Sequence, residues 1–248
     1  MTTLTPLTFL LIIISPAIGS FIGVLIDRLP RDEDVIVKGS TCRNCSTVLR
    51  PMQMIPLFSF MMQRGACGTC GQPIPAWLFY TELLALCAAV LAVIAGGDPA
   101  HVFLSALFLW VLIGLAGADL LWFRLPDVLT ATLAVVAVGL AVAPGGIGLY
   151  DAMLGAFFGA GSFAVLRGGY FWLRGREGLG LGDVKLMVGL GAFSGPFDLP
   201  MLILLGAVLG LLIAVMDKLR NRSALKADGA IPFGTALCGA AGLLWLVN

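Results

Sequence analysis

Residues Leu7–Ile26 read LTFLLIIISPAIGSFIGVLI, with no charged side chain. An α-helix rises about 1.5 Å per residue, so this stretch covers the ~30 Å hydrocarbon core of a bilayer. A cleaved leader would carry lysines or arginines ahead of its apolar run. Here none precedes it, and Arg28 and Arg31 follow. The stretch is therefore read as a retained membrane helix with its N-terminus outside. Gly19 and Gly23 make a small-xxx-small step, which lets two helices approach closely. Abundance alone also explains them, because the chain has 32 glycines.

The rest of the chain has the same character. Of 248 residues, 59% are hydrophobic and 12% charged. Soluble domains carry about twice that share of charge. Further apolar runs fall at Ala76–Gly96, Val102–Ala118, Val128–Ala143, Ala152–Leu166, Val184–Phe193, Met201–Met216 and Ile231–Val247, the run at Val184–Phe193 being the weakest. The expected fold is an all-α polytopic membrane protein of about eight transmembrane helices. A net charge of +1 gives no electrostatic case for nucleic acid. A single histidine, His101, argues against Ser-His-Asp and Cys-His catalysis and against multi-histidine metal sites.

Charge placement sets the orientation. With the N-terminus outside, loops 27–75, 119–127, 167–183 and 217–230 face the cytoplasm. All 15 lysines and arginines fall on that side, including Lys38, Arg50, Arg222 and Lys226, with Lys185 at a cytoplasmic helix start. The opposite links carry Asp98, Asp151 and Asp198 instead. This is the positive-inside pattern. Three divisions follow: a first helix over 1–26, a cytoplasmic domain over 27–75, and a membrane core over 76–248.

The 27–75 segment is polar and too short to bury much core unaided, so it needs a staple. Cys42-Arg-Asn-Cys45 and Cys67-Gly-Thr-Cys70, 21 residues apart, supply one. Two tight turns, each presenting two thiolates, close a tetrahedron around Zn²⁺. Gly68 and Gly71 stand where such turns need positive φ. Disulfides do not persist on the reducing side of the membrane. A closed Cys₄ site has no open position for substrate, so its expected role is structural. Cys87 and Cys238 lie in apolar runs and are expected to be packing residues.

Two acids stand at cytoplasmic ends of spans: Asp119, after Val102–Ala118, and Asp183, in Gly180-Leu-Gly182-Asp183. Ionisable groups at membrane depth are costly and mark function. Two carboxyls sharing a site titrate as a unit, one keeping a proton, and such a pair can hydrolyse a peptide bond. Gly178, Gly180 and Gly182, at every second position ahead of Asp183, leave room for a substrate backbone in extended pairing. Other readings stand beside this one. Asp183 also suits a helix N-terminus, Asp127 after Pro126 suits a cap, and a carrier places acids in the membrane for cations or protons. The run Asp32-Glu33-Asp34 either attracts a basic segment or is simply solvated.

At these residues the chain resembles the type IV prepilin peptidases. Gly19–Pro30 is similar to their opening helix and its exit, the two C-x-x-C pairs to their zinc domain, and Asp119 with Leu125-Pro126-Asp127 to their first aspartate motif. Gly180-Leu-Gly182-Asp183-Val-Lys185 resembles the GxGD motif of intramembrane aspartyl proteases. Ile231-Pro-Phe-Gly234 resembles a signature near the last helix. The resemblance implies a bacterial inner-membrane enzyme that removes the basic leader of prepilins and pseudopilins on the cytoplasmic face. It implies N-methylation of the new terminus from S-adenosylmethionine, with no methyl-donor residues identified. Asp119 and Asp183 would be the catalytic pair, with Gly180, Gly182 and Lys185 in the active-site loop and Asp127 ordering its own loop. Cys42, Cys45, Cys67 and Cys70 would hold structural zinc. Two departures stand out. Arg50–Pro56 lacks an aromatic and an acid common in bifunctional members, which keeps peptidase-only activity open. Thr235 replaces a common proline. A carrier or an inactive assembly scaffold with a zinc-bound loop is the reading from another class.

Overall fold

The computed structural model describes residues 6–37, 39–49, 51–176, 178–220 and 231–247. Lys38, Arg50, Glu177, Arg222 and Lys226 lie outside them. The described residues form eight α-helices: α1 (Pro6–Arg28), α2 (Phe58–Met62), α3 (Ala76–Ala95), α4 (Pro99–Trp122), α5 (Asp127–Val142), α6 (Leu149–Arg174), α7 (Leu181–Arg220) and α8 (Phe233–Val247). Among them there is no strand, only two isolated antiparallel bridges. Five helices are long and apolar enough to cross a membrane: α1 with the 3₁₀ turn that follows it, α3, α4, α6 and α7. The shorter α5 and α8 are also apolar. Their outward faces carry large apolar side chains such as Phe9, Phe157 and Val247. A helix that is apolar all round belongs in lipid or a buried core.

The chain divides into two compact units, with the boundary between Ile113 and Gly114, inside α4. Both aspartates fall in the second unit. That unit starts in the middle of a helix.

In the first unit α1 packs on α3 at the predicted small-residue step. A Cβ on Gly19 would come within 2.6 Å of the Glu82 Cα, and one on Gly23 within 3.0 Å of Leu78. Pro16 lies inside α1 and has no N–H for the Ile12 carbonyl. The Ser15 hydroxyl donates to that carbonyl instead, at 2.7 Å. The buried Trp110 indole N–H of α4 donates to Ala85 O at 2.9 Å. Glu33 pairs with Arg31 at 2.9 Å, and Asp34 Oδ1 accepts from the Ile36 and Val37 N–H groups. These acids are occupied within their own turn.

In the second unit α7 packs against α5, α6 and α8. The apolar runs Val184–Phe193 and Met201–Met216, expected as separate segments with a link over 194–200, are separate helical arms of α7 that meet at a kink, with no link between them. The break is confined to Gly195, at φ 64 and ψ −178, a left-handed conformation that suits glycine. Pro196 then starts the second arm, where a missing N–H costs nothing. The arms fold back on each other. A Cβ on Gly159 would lie 3.0 Å from Met187 O and 3.4 Å from Leu199 Cδ1. In a straight helix those residues would be about 18 Å apart along the axis. Gly155 and Gly191 bring α6 and α7 into backbone contact, because a Cβ on either would overlap the carbonyl oxygen of the other.

Candidate active site and metal centre

Asp183 lies in the first turn of α7. The Gly180 N–H donates back to its carboxylate. This is half of a capping box, with the third helical residue reaching to the N-cap amide. A Cβ on Gly180 would stand 3.2 Å from Asp183 Oδ2 and crowd it. Gly182 differs from expectation. It is helical, and a Cβ there would press on Leu125 at 3.1 Å. Its bareness seats the start of α7 on the Leu125-Pro126 turn and does not extend the loop toward a substrate. The loop before α7 is held by Arg167, which donates to Leu179 O at 2.9 Å.

Asp119 lies in the last turn of α4 and is buried, at 6% exposure. A carboxylate at a helix C-terminus meets the wrong end of the helix dipole. The compensation comes from α8. Gly234 and Thr235 are in its first turn, where N–H groups lack intrahelical partners. Thr235 N donates to Asp119 Oδ2 at 2.6 Å, the Thr235 hydroxyl lies 3.1 Å from the same oxygen, and the Gly234 N–H also donates to this carboxylate. The hydroxyl lies 3.0 Å from Ala116 O as well. Its one proton is thus shared between two acceptors. Asp119 acts as an N-cap for α8 from a distant part of the chain.

The two carboxylates belong to one site. A Cβ on Gly234 would touch both Asp119 Oδ2 and Leu125 Cδ1 at 3.1 Å, and Leu125 in turn packs on Gly182 beside Asp183. Their charges act on one another, and both act on the buried thiol of Cys238. Cys238 packs as expected, whereas Cys87 is exposed on its helix. Asp127 is 73% exposed and pairs at 2.7 Å with Lys185. That pair ties the start of α5 to the start of α7. Thr235, marked in the sequence only as a replacement for a common proline after the Ile231–Gly234 signature, is the residue that donates to Asp119.

In the first unit the four cysteines converge, with their sulfurs all within 4.8 Å of one another. Cys42 Sγ and Cys70 Sγ are 3.8 Å apart. A tetrahedron of Zn–S bonds has edges of about 3.8 Å, whereas a disulfide needs about 2.05 Å. The set therefore fits a tetrahedral thiolate-bound metal. Each pair sits in a hairpin turn of the same design. Cys42 N donates to Thr47 O and Ser46 N to Cys42 O; Cys67 N donates to Gln72 O and Gly71 N to Cys67 O. The positive-φ position is Gly71 (φ 70) in one turn and Ser46 (φ 55) in the other, and Gly68 is not used this way. Hydrogen bonding with the Thr47 hydroxyl, 3.2 Å away, and then with its backbone N–H pulls the Cys45 thiol down to about 6. This favours the thiolate that a metal needs.

Fold and site together define a polytopic helical membrane protein with paired carboxylates and a four-cysteine cluster that could hold a metal ion. Comparison with known proteins gives the family. Residues 13–95 match the bacterial peptidase A24 N-terminal domain, and residues 106–215 match the type IV leader peptidase family. A protein of Aeromonas hydrophila named prepilin leader peptidase/N-methyltransferase is 35% identical, over 95% of this chain and 90% of its own. Proteins of the same name from Dichelobacter nodosus (30%, over 98% and 92%) and Pseudomonas aeruginosa (31%, over 97% and 91%) are similar over comparable lengths. No solved structure was found to match. The chain belongs to the type IV leader peptidase family.

Proposed function

We propose that this protein is a prepilin leader peptidase and N-methyltransferase of the bacterial inner membrane. It removes the basic leader of prepilins and pseudopilins, then methylates the new N-terminal amine from S-adenosylmethionine. The observation that supports the peptidase most is the meeting of Asp119 and Asp183 at one site at the ends of apolar helices. Eight spans, counting the arms of α7 separately, put the N-terminus outside and both aspartates and the cysteine domain on the cytoplasmic side, following the basic residues. The cysteine cluster holds structural zinc. The substrate's apolar segment lies in the bilayer, and its leader lies in the cytoplasm.

The donor pattern divides the labour. Asp119, with three donors, is the ionised member. Asp183, with one backbone donor, carries the proton. Asp119 takes a proton from water as the water oxygen bonds to the scissile carbonyl carbon, and Asp183 gives its proton to the carbonyl oxygen. As the tetrahedral intermediate collapses, Asp183 recovers a proton from the hydroxyl, Asp119 passes its proton to the departing amine, and the C–N bond breaks. The test is mass spectrometry of a prepilin incubated with the protein and S-adenosylmethionine. Loss of the leader with wild type, but not with Asp119→Asn or Asp183→Asn, is expected, and cleavage by both variants would refute the pairing. A further gain of one methyl mass reads the second activity, and its absence leaves a peptidase alone.

A further inference from the structure

A cavity of about 540 Å³ opens in the first unit, bounded by the cytoplasmic end of α1, the start of α3 and the two cysteine turns. Small-molecule sites run from about 300 to 1,000 Å³. Its wall holds a flat apolar surface, the stacked rings of Phe60 and Phe79 with centroids 5.0 Å apart, and the amides of Gln63 and Gln72. Most charges that line it are committed. Asp27 pairs with Arg31 at 2.8 Å and with Arg43 at 3.0 Å. Arg28 donates to the carbonyls of Asp34 and Gly39.

Glu82 is different. It is half-buried in the wall and bonded by neutral donors alone, the Leu57 N–H at 2.6 Å and the Ser20 hydroxyl. Among the described residues no cation pairs with it. Leu57 is held at φ 60, a conformation a leucine rarely adopts, and its N–H is aimed at this carboxylate. A half-buried carboxyl bonded only by neutral donors is one that a cationic ligand would stabilise in its charged form. The ligand that matches this wall carries positive charge, a flat aromatic base and hydrogen-bonding edges.

We propose that this cavity binds the methyl donor S-adenosylmethionine, with Glu82 facing its positively charged amino-acid and sulfonium end and Phe60 and Phe79 against its adenine. The assignment rests on the methyltransferase reading above and locates a site for it. Glu82 lies in a different compact unit from the two aspartates, so peptidase activity serves as an internal control.

Equilibrium dialysis of radiolabelled S-adenosylmethionine against the full chain in lipid nanodiscs tests the proposal. Glu82→Gln keeps an acceptor for Leu57 and removes the charge, so affinity should fall about tenfold or more. Phe60→Ala should also weaken binding, while both variants still cleave a prepilin. If both bind like wild type, the donor sits elsewhere and the site is wrong, though methylation stands. If wild type cleaves but binds no donor, the methyltransferase reading falls with the site. Ultraviolet crosslinking of the donor to wild type needs no variant to fold. Label on peptides containing Phe60 or Phe79 supports the cavity, and label confined to other segments overturns it.

Discussion

Thr235→Val tests the assignment of Asp119 as the ionised carboxylate. The substitution keeps the shape and the backbone N–H, which donates to Asp119 at 2.6 Å, and removes only the hydroxyl. A hydrogen bond to a charged acceptor contributes about 1.5–3 kcal/mol. Here one hydroxyl proton is divided between Asp119 Oδ2 at 3.1 Å and Ala116 O at 3.0 Å, so the loss should be nearer 1–2 kcal/mol. That corresponds to about a 5- to 30-fold fall in kcat. Thr235 bonds the carboxylate and not the substrate in the proposed scheme, so KM should hold. Thr235→Ser restores the hydroxyl and should stay within about threefold of wild type. The assay is a time course of prepilin cleavage over a range of substrate concentrations, with thermal unfolding as a check on folding. Wild-type turnover in the valine variant, or an equal loss in the serine variant, would show that the hydroxyl does not act on Asp119.

Other predictions follow from the same contacts. Lys185 and Asp127 pair in the open, so Lys185→Met and Asp127→Asn should each cost under about 1 kcal/mol by thermal unfolding, and the double variant little more than either. An essential Lys185 beside Asp183 would instead show as loss of cleavage in Lys185→Met alone. Metal analysis should find one zinc per chain, absent in Cys42→Ser, with the segment around the cysteine turns becoming protease-sensitive. Full zinc in that variant would reject a four-thiolate site. Gly155→Ala drives a Cβ into the Gly191 carbonyl and should lower stability by about 1–3 kcal/mol. Gly161→Ala meets nothing within 4 Å and should be neutral or slightly stabilising.

The residues that sequence reading placed well are those whose own type and spacing carry the signal. Apolar runs mark helices because lipid asks nothing else of them. Each C-x-x-C pair marks a turn because both thiolates belong to one hairpin. Gly19 and Gly23 mark a helix contact because two bare positions one turn apart leave a groove. Gly195-Pro196 was visible, but it was read as part of a link. The fold-back needs only one residue in a left-handed conformation, since Pro196 can start a helix directly. The boundary inside α4 had no signal, because a helix that passes from one unit to the next keeps its composition.

The paired carboxylates show the same division. Asp183 is served by an amide three residues before it, so Gly180-x-Gly182-Asp183 is a local pattern that a short motif can hold. Asp119 is served by an amide and a hydroxyl 116 residues away, at the start of another helix. No spacing rule reaches that far, and so the sequence marks Thr235 only as a replacement for a common proline. Proline there would have neither N–H nor hydroxyl to offer Asp119. A chain with proline at this position must therefore hold its first aspartate with other donors, such as the Gly234 N–H that also serves here. Thr235→Pro measures that difference directly. If the added donors set the base, it should lose more turnover than Thr235→Val, because it removes the 2.6 Å bond as well as the shared hydroxyl. Equal losses in the two variants would mean that the Thr235 N–H adds nothing to what the hydroxyl and the Gly234 N–H supply.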